Sequence, residues 1–444
     1  MLINLQEQLA KLQAFLKESF QENLAVDVKT QSLTIAKQNA YFHEHSISEL
    51  LPYESYDPNT ELYHNRDNIS VLIEAVPLVG LDDEALSTIT AFLQDKLPQG
   101  AILQILLFAS PDVDSMLMAL EGNRSKRGGI FTTLAKRRCE FLRQGTQESL
   151  LKSEDFLMRD FKLIFILSMD KSNEGELITF KKEWLLLLQA LKTPYQLMQP
   201  DSLIRLIQGL INPYGFVRRR NQLPSYDENE LLAIQAASND TSLALTSREI
   251  SINEGECISR VYRITDYPQQ WIALAMNEII GDPLRSNLRL GNPFVFSMII
   301  YANNSELEKT RLQTLNLRSS QKAASKLSNL IPNLKEIDRD LKQVVHAMDN
   351  GDKLLKVSFN ACIYGNLNTI DKGAAQLESL LTAKKFKFAA CRYTQLPAFL
   401  SILPMTMQSA WIADIQRFGW FKTQLASTLA HFMPLTAENK GMHV

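Results

Sequence analysis

The chain has 444 residues, which is long enough for two or three domains that each bury a core. Its 45% hydrophobic and 22% charged residues place it among ordinary soluble globular proteins. The 47 Lys and Arg residues are balanced by 49 Asp and Glu residues. The overall charge therefore gives no reason to expect a polyanionic partner.

The N-terminal residues 1–45 begin with an amphipathic pattern. Leucines recur there at three- and four-residue steps, at Leu2, Leu5, Leu9, Leu12 and Leu16. This spacing predicts a helix with one apolar stripe. Charged residues interrupt the run, so it is not the hydrophobic region of a targeting signal. The stripe either packs on the first domain of the chain or docks to a partner.

Eight apolar runs of strand length follow, in two sets of four. They start at Ile69, Ala101, Phe161 and Tyr195, and again at Glu256, Pro293, Leu354 and Phe386. In both sets one long interval separates two short ones. Helical periodicity occupies the intervals, at residues 84–96, 184–191, 269–280 and 374–381.

This repeated layout predicts an α+β fold with two tandem, duplicated domains, each a small sheet covered by helices. A ferredoxin-like sandwich is the simplest form of such a domain. Turn-forming residues cluster near 223–229 and 237–241, where one copy would end. The predicted division is an N-terminal helix and lead-in at 1–45, a first domain at 46–235, a second domain at 236–405, and a further segment at 406–444.

The apolar runs also bear on membrane insertion. The longest, at 163–169 and 294–301, fall far short of the roughly 20 residues that a spanning helix needs. They are predicted to be buried strands. The chain is therefore expected to be cytoplasmic, and to be peripheral at a membrane only through partners.

A charged, leucine-punctuated segment at 305–346 is interrupted by Pro332. Proline breaks a helix interior, so two helices with a break are predicted. They either lie across the second sheet or project to contact a neighbouring subunit.

The four cysteines, Cys139, Cys257, Cys362 and Cys391, lie far apart and form no CxxC pair. This spacing matches neither a zinc site nor a dense disulfide framework. Reduced, structural cysteines are predicted.

Several segments resemble a known family when taken in order. LLPYESYDPN, SVLIEAVPLVG and LPQG lie between Leu50 and Gly100. The residues concerned are Leu51, Pro52, Tyr53, Glu74, Pro77, Leu97, Pro98 and Gly100, then Arg219, Arg220, Pro224 and Tyr226, and finally Leu403, Pro404, Met433, Pro434 and Leu435. Together they resemble the N-terminal region of the TraC family, the pilus-assembly ATPases of F-type conjugative type IV secretion systems.

The resemblance implies a region that anchors and oligomerises a motor at the inner membrane. Its implied partners are other copies of the chain and other type IV secretion subunits. In the family, a RecA-like motor domain with a phosphate-binding loop follows this region. That motor is expected to be absent from this chain.

The residues support that expectation independently. ATP hydrolysis on a RecA-like sheet needs a glycine-rich turn, a lysine and a Ser or Thr for magnesium, and no GxxxxGK[ST] occurs in the sequence. The glycine pair Gly128 and Gly129 in NRSKRGGIF reads as a loop flanking a helix. No catalytic, cofactor-binding or metal-binding residue is predicted, and ATP and magnesium are expected only where a motor domain is present.

Two basic clusters remain as candidate interaction sites. The first comprises Arg124, Lys126, Arg127, Lys136, Arg137, Arg138 and Arg143, interleaved with Phe131 and Phe141, and the second comprises Arg218, Arg219 and Arg220. Nucleic-acid binding through phosphates is one interpretation. A solvated or protein-binding face is favoured, because acidic residues and helical apolar spacing accompany the first cluster. The two phenylalanines are expected to belong to the core.

Three functions stay open in this order. The first is an assembly and interaction region of a type IV secretion ATPase. The second is a truncated form of the complete ATP-hydrolysing enzyme. The third is a stand-alone DNA-binding accessory protein.

Overall fold

The computed structural model describes residues 46–437, apart from residue 127 and residues 151–156, 217–223, 238–240, 269–270, 281–288, 304 and 326–332. The predicted helix and lead-in at 1–45 lie outside the described residues. Arg218, Arg219 and Arg220 also lie outside them.

The strands of the described residues differ in length and all belong to one sheet. They are β1 Tyr53–Asp57, β2 Leu62–Asn65, β3 Asn68–Ala75, β4 Ile102–Ser110, β5 Asp160–Asp170, β6 Tyr195–Leu197, β7 Leu243–Leu245, β8 Ile250–Ile252, β9 Cys257–Asp266, β10 Phe294–Tyr301, β11 Leu354–Gly365, β12 Lys387–Ala390 and β13 Lys422–Leu425.

The helices alternate with these strands. They are α1 Ile47–Leu50, α2 Asp83–Asp95, α3 Asp114–Ser125, α4 Ile130–Gln144, α5 Glu174–Ala190, α6 Pro200–Ile211, α7 Leu232–Ala236, α8 Met276–Ile280, α9 Ser305–Ala324, α10 Asn333–Asp349, α11 Ile370–Ala383, α12 Gln395–Leu400, α13 Ser409–Arg417 and α14 Ala426–Ala430. Short 3-10 helices occur at Lys171–Asn173, Pro213–Gly215, Asn253–Gly255 and Ala273–Ala275.

The sheet runs continuously through both halves of the chain, in the order β1-β2-β3-β5-β4-β10-β11-β9-β8-β7. Strand β6 adds to β3, β12 adds to β9 and β13 adds to β11. The pairings between these strands are antiparallel. The two halves meet where β4 pairs with β10, with Leu106 opposite Ser297. The chain is thus an α+β protein, as predicted.

The strand order is the same in the two halves. In the first half it is β6-β3-β5-β4, and in the second half it is β12-β9-β11-β10. A hairpin precedes each set, β1–β2 joining β3 and β7–β8 joining β9. All eight predicted strands are present and start within one residue of the predicted positions.

Five further strands were not predicted. β1, β2, β7, β8 and β13 are three to five residues long and lie outside the central run of the sheet or at its margins. Each is too short to give a continuous apolar run, and β1, β7 and β13 are in addition largely exposed or half-buried.

Helices cover both faces of the sheet. On one face α2, α5, α8, α11 and α14 contribute to a single apolar cluster. Its aromatic centre is Trp184 of α5, whose ring lies 5.0 Å from Phe92 of α2 and 4.9 Å from Phe165 of β5. On the other face α1, α6, α7, α12 and α13 contribute to a second cluster. Because β4 is buried along its whole length, its sequence reads as an apolar run, not as an alternating one.

One polar side chain interrupts β4. Gln104 is 1% exposed, and its Nε2 lies 3.3 Å from Ser401 O and 3.1 Å from Ile402 O. The same nitrogen lies 3.3 Å from Ser297 Oγ on β10. Buried carbonyl groups need donors. Gln104 therefore fixes the loop after α12 against the seam between the two halves.

A helical hairpin is inserted at the same place in each half. α3 and α4 lie between β4 and β5, and α9 and α10 lie between β10 and β11. In each hairpin the two helices pack mainly on each other. The predicted pair of helices at 305–346 is confirmed, with the region around Pro332 outside the described residues. No described side chain of α9 is buried, whereas Asp338 and Met348 of α10 are.

The segment after residue 405 folds back onto both halves. β13 pairs with β11, with Leu425 opposite Leu354. Further on, Leu78 N donates a 2.9 Å hydrogen bond to Leu435 O. This part of the chain therefore completes the sheet and its helical cover.

Candidate interaction surface

The residues that carry the family resemblance lie mainly inside the fold. Leu51 and Tyr53 are 0% and 1% exposed, and Leu97 is 4% exposed. Met433, Pro434 and Leu435 are also buried. These residues act by holding elements together and do not form a surface that a partner could reach.

The remaining members of this set fix strand ends and turns. Glu74 accepts a 2.9 Å hydrogen bond from Gln196 and so links β3 to β6. Gly100 adopts a positive φ of 81° before β4, a backbone region that glycine enters without strain. Pro77 and Pro98 are half-buried in the loops on either side of α2.

The first basic cluster lies on the α3–α4 hairpin. Gly128 and Gly129 have positive φ angles of 68° and 54° and stand directly before α4. The glycine pair is therefore part of a helix-flanking loop, as predicted. The element that precedes this turn is the helix α3, so no strand leads directly into it.

The inner side of α4 packs on α3. Cys139 is fully buried with Val113 and Leu117, and burial raises the pKa of the Cys139 thiol. Arg143 Nε donates a 2.7 Å hydrogen bond to Asp114 Oδ1, and this contact raises the pKa of Arg143. The pairing neutralises one cation of the cluster and fixes the angle between the two helices.

The base of the hairpin is fastened to the sheet by Arg159. Its guanidinium donates 2.8 Å hydrogen bonds to the carbonyls of Thr146 and Met158, and it also bonds the carbonyl of Gly291 just before β10. Burial lowers the pKa of Arg159 to about 10, which still leaves the group charged at neutral pH. The hairpin thus projects from a fixed point at the seam between the halves.

The outer side of α4 carries an exposed mixture of apolar and basic side chains. Ile130, Leu134 and Phe141 are 69%, 56% and 54% exposed. Arg137 and Arg138 are exposed between them. At about 100° per residue these five positions fall within roughly a 100° arc of the helix. We call these five residues the α4 stripe.

The α4 stripe corrects one expectation from the sequence. Phe141 and its neighbour Phe131, which is 50% exposed, were expected in the core, and that expectation is wrong. Their helical spacing is genuine, but the face that they occupy points away from α3. Apolar residues lie on both sides of α4, and those on the inner side, Ala135 and Cys139, are buried. Helical spacing alone could therefore not identify which side of α4 is packed.

The second helical hairpin also exposes apolar and charged side chains. Leu317 on α9 and Ile337 on α10 are 66% and 49% exposed. Glu336 and Asp340 flank Ile337 and keep 59% and 64% of their side chains exposed, with Arg339 only 4.0 and 3.9 Å away. The α9–α10 hairpin therefore exposes two large apolar side chains, and beside Ile337 it exposes two carboxylates with one arginine close to both.

The described part of the chain also bears on metal binding, disulfide formation and membrane insertion. No group of three or more His, Cys, Asp or Glu side chains is placed there to hold a metal ion. All four cysteines are free and buried, in agreement with the predicted structural role. Of the helices in the described ranges, none combines the length and apolarity needed to cross a membrane.

Two sequence comparisons place the chain among known proteins. A model of the TraC protein family matches residues 47–407. Protein TraC of Escherichia coli strain K12 is 18% identical over 433 residues, which cover 91% of this chain and 48% of that relative. The chain thus spans about half the length of the curated relative that it matches.

The family match begins at α1, includes both helical hairpins and the seam between the halves, and ends after α12. It therefore covers the sheet almost entirely, together with the buried residues Tyr53 and Pro404 that carried the resemblance. The chain belongs to the TraC family of conjugative type IV secretion.

Proposed function

We propose that this chain is the assembly and interaction region of a TraC-like type IV secretion ATPase, and that it oligomerises and anchors the motor at the inner membrane. The observation that carries the proposal is the α4 stripe. An exposed apolar patch with basic neighbours is typical of a protein interface, since isolated surface apolar residues need no partner but a continuous row does.

The oligomeric contact joins the α4 stripe of one copy to the α9–α10 hairpin of the next. Leu134 and Phe141 meet Leu317 and Ile337 in this arrangement. Arg137 and Arg138 meet the exposed carboxylates of Glu336 and Asp340, in competition with Arg339. Two different surfaces on each copy make a head-to-tail contact, which closes into a ring when the rotation between copies permits. A ring would hold the motor domains side by side next to other type IV secretion subunits.

The oligomeric contact can be tested on the purified chain by light scattering after size exclusion. We expect masses that are multiples of 50.4 kDa for the natural chain. The double substitution Leu134→Asp with Phe141→Asp should prevent assembly, so that the measured mass falls to that of one chain. Leu367→Asp is the matched control, because Leu367 is 73% exposed on a different element.

A charge swap distinguishes loss of this contact from unfolding of the variant chain. Arg137→Glu with Arg138→Glu should weaken assembly, and adding Glu336→Lys with Asp340→Lys should restore it. A natural chain that remains at one-chain mass, or a swap that restores nothing, would remove the proposed contact.

We also propose that the two halves are duplicated ferredoxin-like domains at 46–235 and 236–405, with 406–444 leading toward a motor domain. The shared strand order, the matching hairpins and the matching helical insertions support this proposal. An experimental structure in which the two sets of four strands fail to superpose would contradict it.

A complete ATP-hydrolysing enzyme is the second candidate function. It is favoured by the length of the curated relative, about twice that of this chain. In that case ATP and magnesium would bind in a region beyond the residues described here. The intact mass of the cellular protein distinguishes the two candidates.

A stand-alone DNA-binding protein is the third candidate. The exposed Arg137 and Arg138 favour it. Duplex binding should then fall steeply with salt and should be lost on Arg137→Ala with Arg138→Ala. Assembly through the α4 stripe predicts no such binding.

A further inference from the structure

The sheet ends at β7, whose outer edge is open. β7 is the last strand in the order, and among the described residues it pairs with β8 alone. Thr246 N donates a 3.0 Å hydrogen bond to Glu249 O across this hairpin. Because bonded residues alternate along an antiparallel ladder, the backbone groups of Ala244 also face β8, and those of Leu243 and Leu245 point away from it. An edge with such outward N–H and C=O groups can accept a further strand.

The edge of β7 lacks the usual protection against strand addition. Residues 241–247 read TSLALTS and include neither a charge nor a proline, and the pairing with β8 contains no bulge. Natural proteins use such features to block their edge strands. The strand at the other end of the order, β1, is protected: it carries Glu54 and Asp57, and its Tyr56 N–H donates a 3.3 Å hydrogen bond to the Tyr226 hydroxyl. The two ends of the sheet therefore differ, and β7 is the end that is suited to strand addition.

The segment at 241–247 is also a palindrome in residue class, with Ala244 at its centre. When two identical copies of it run antiparallel about a two-fold axis at Ala244, apolar residues lie opposite apolar ones and hydroxyl residues lie opposite hydroxyl ones. The opposed residues are Leu243 with Leu245, Ser242 with Thr246, and Thr241 with Ser247.

The backbone directions agree with this register. The outward groups of Leu243 in one copy meet those of Leu245 in the other, and such a pair exchanges both of its N–H···O bonds. Ala244 then lies opposite itself at a closely spaced, non-bonded position, where a small side chain fits. Strand addition by an unrelated segment would not explain why the residue classes mirror each other about the centre of β7.

We infer that a second copy of this chain adds to β7, strand to strand, about a two-fold axis at Ala244. Leu243 packs on the second apolar cluster, and Leu245, which is 40% exposed, lines a groove bordered by α12 and α13. The contact sets each exposed Leu245 beside Leu243 of the other copy. It thereby joins the two sheets into one and covers apolar surface that a single copy exposes.

This pairing goes beyond the head-to-tail contact proposed for the α4 stripe. β7 shares no residue with the α4 stripe or with the α9–α10 hairpin. A three-residue strand covers far less than the roughly 1,000 Å² that a stable interface buries, so two single copies pair only transiently. A stripe variant therefore still shows the mass of one chain. Within rings, several β7 edges act together, and a two-fold contact then joins one ring to another.

Disulfide trapping in the full chain detects even transient pairing. In Ala244→Cys the two new thiols lie at a closely spaced pair, with Cα atoms about 4.5 Å apart, which a disulfide can span. Oxidation with diamide should give a product of twice 50.4 kDa on a non-reducing gel. Thr246→Cys is the matched control, because position 246 is equally exposed but lies roughly 14 Å from its own copy in this register. The four natural cysteines are buried and should not contribute.

A mixture of two variants checks the register. Ser242→Cys and Thr246→Cys should each give little product alone and should give the two-chain product when mixed, because these positions oppose each other. No product from Ala244→Cys, or equal product from Ala244→Cys and Thr246→Cys, would overturn the inference. The same trapping in the chain with Leu134→Asp and Phe141→Asp should persist, so failure of the stripe contact and failure of the edge pairing are seen separately.

A charge at the axis provides the second test. Ala244→Lys, introduced into both members of the mixture, places two lysines opposite each other and should lower the yield about tenfold. Ala244→Thr changes the same exposed position without a charge and should leave the yield unchanged. Equal yields from these two variants would overturn the inference as well.

Discussion

The hydroxyl of Tyr53 donates a 2.7 Å hydrogen bond to the backbone carbonyl of Pro404, 351 residues further along the chain. Tyr53 opens β1 and is 1% exposed, and Pro404 lies in the buried loop after α12. The bond therefore joins the first family-like segment to a distant one across the two halves. Two segments of the resemblance that lie far apart in the sequence are thus in contact in the fold.

Removal of this bond should destabilise the chain. Tyr53→Phe keeps the ring but leaves the buried Pro404 carbonyl without this donor, at a cost of about 1–2 kcal/mol. The midpoint of urea unfolding measures the loss. Tyr56→Phe is the control, because the Tyr56 hydroxyl makes only an exposed 3.4 Å contact with Gln199. Equal losses in the two variants would show that the Tyr53 bond contributes nothing specific.

A second prediction concerns the close approach of β11 and α11. A Cβ atom on Gly365 would lie 2.6 Å from Ile370 Cα and 2.7 Å from its backbone nitrogen. Gly365→Ala should therefore force the strand end and the helix start apart and lower the free energy of unfolding by about 1–3 kcal/mol. Gly175→Ala is the matched change, since nothing lies within 4 Å of its Cβ position in α5. That variant should be neutral or slightly more stable in the same unfolding measurement.

The third prediction is a loss of stability at alkaline pH through Cys391. This thiol is 5% exposed, and burial raises its pKa to about 11, against a smaller lowering by Arg263. In the unfolded chain it ionises near pH 8.5, roughly the ordinary cysteine value. The folded state then holds its proton longer, so its contribution is complete below about pH 8.5 and is lost as the pH rises toward 11.

The measurement is the free energy of unfolding of the natural chain and of Cys391→Ala at pH 8 and pH 10. The natural chain should lose up to about 2 kcal/mol more than the variant across this interval. Identical losses would mean that the Cys391 thiol does not remain protonated in the fold. The comparison of slopes is informative even if the alanine variant is less stable throughout.

The fourth prediction is that the purified 444-residue chain hydrolyses no ATP above a buffer control. Its sequence offers no glycine-rich turn followed by lysine and Ser or Thr to bind phosphates and magnesium. A phosphate-release assay with and without magnesium measures this directly. Robust magnesium-dependent turnover would contradict the prediction and would favour the complete-enzyme candidate.

Local sequence was sufficient for the central strands and for the helical hairpin at 305–346. Runs such as those of β4 and β5 are apolar on both faces because helices cover both sides of the sheet, and such runs are long enough to recognise. The break near Pro332 was visible because proline disrupts a helix interior. The short hairpin strands β7 and β8 carried no comparable pattern, since they are three residues long.

The candidate surface was predicted only in part. Arg137 and Arg138 were identified from charge alone, and the structure places both on the exposed side of α4. Leu134 was not singled out, and Phe141 was named with the cluster but expected in the core, because an apolar residue on a helix has the same periodicity whether its face is buried or exposed. A groove lined by residues of β7, α12 and α13 had no sequence pattern either, since its walls come from three separate segments.

The sequence by itself determined eight of the thirteen described strands, their repeated layout and the family, because these depend on local apolar runs and on the order of segments. Only the tertiary structure decided that both halves share one sheet through β4 and β10, and which side of α4 faces solvent. The physical reason is that pairing and burial depend on contacts between residues hundreds of positions apart, such as Tyr53 and Pro404, and a local pattern holds no information about which distant segment will cover it.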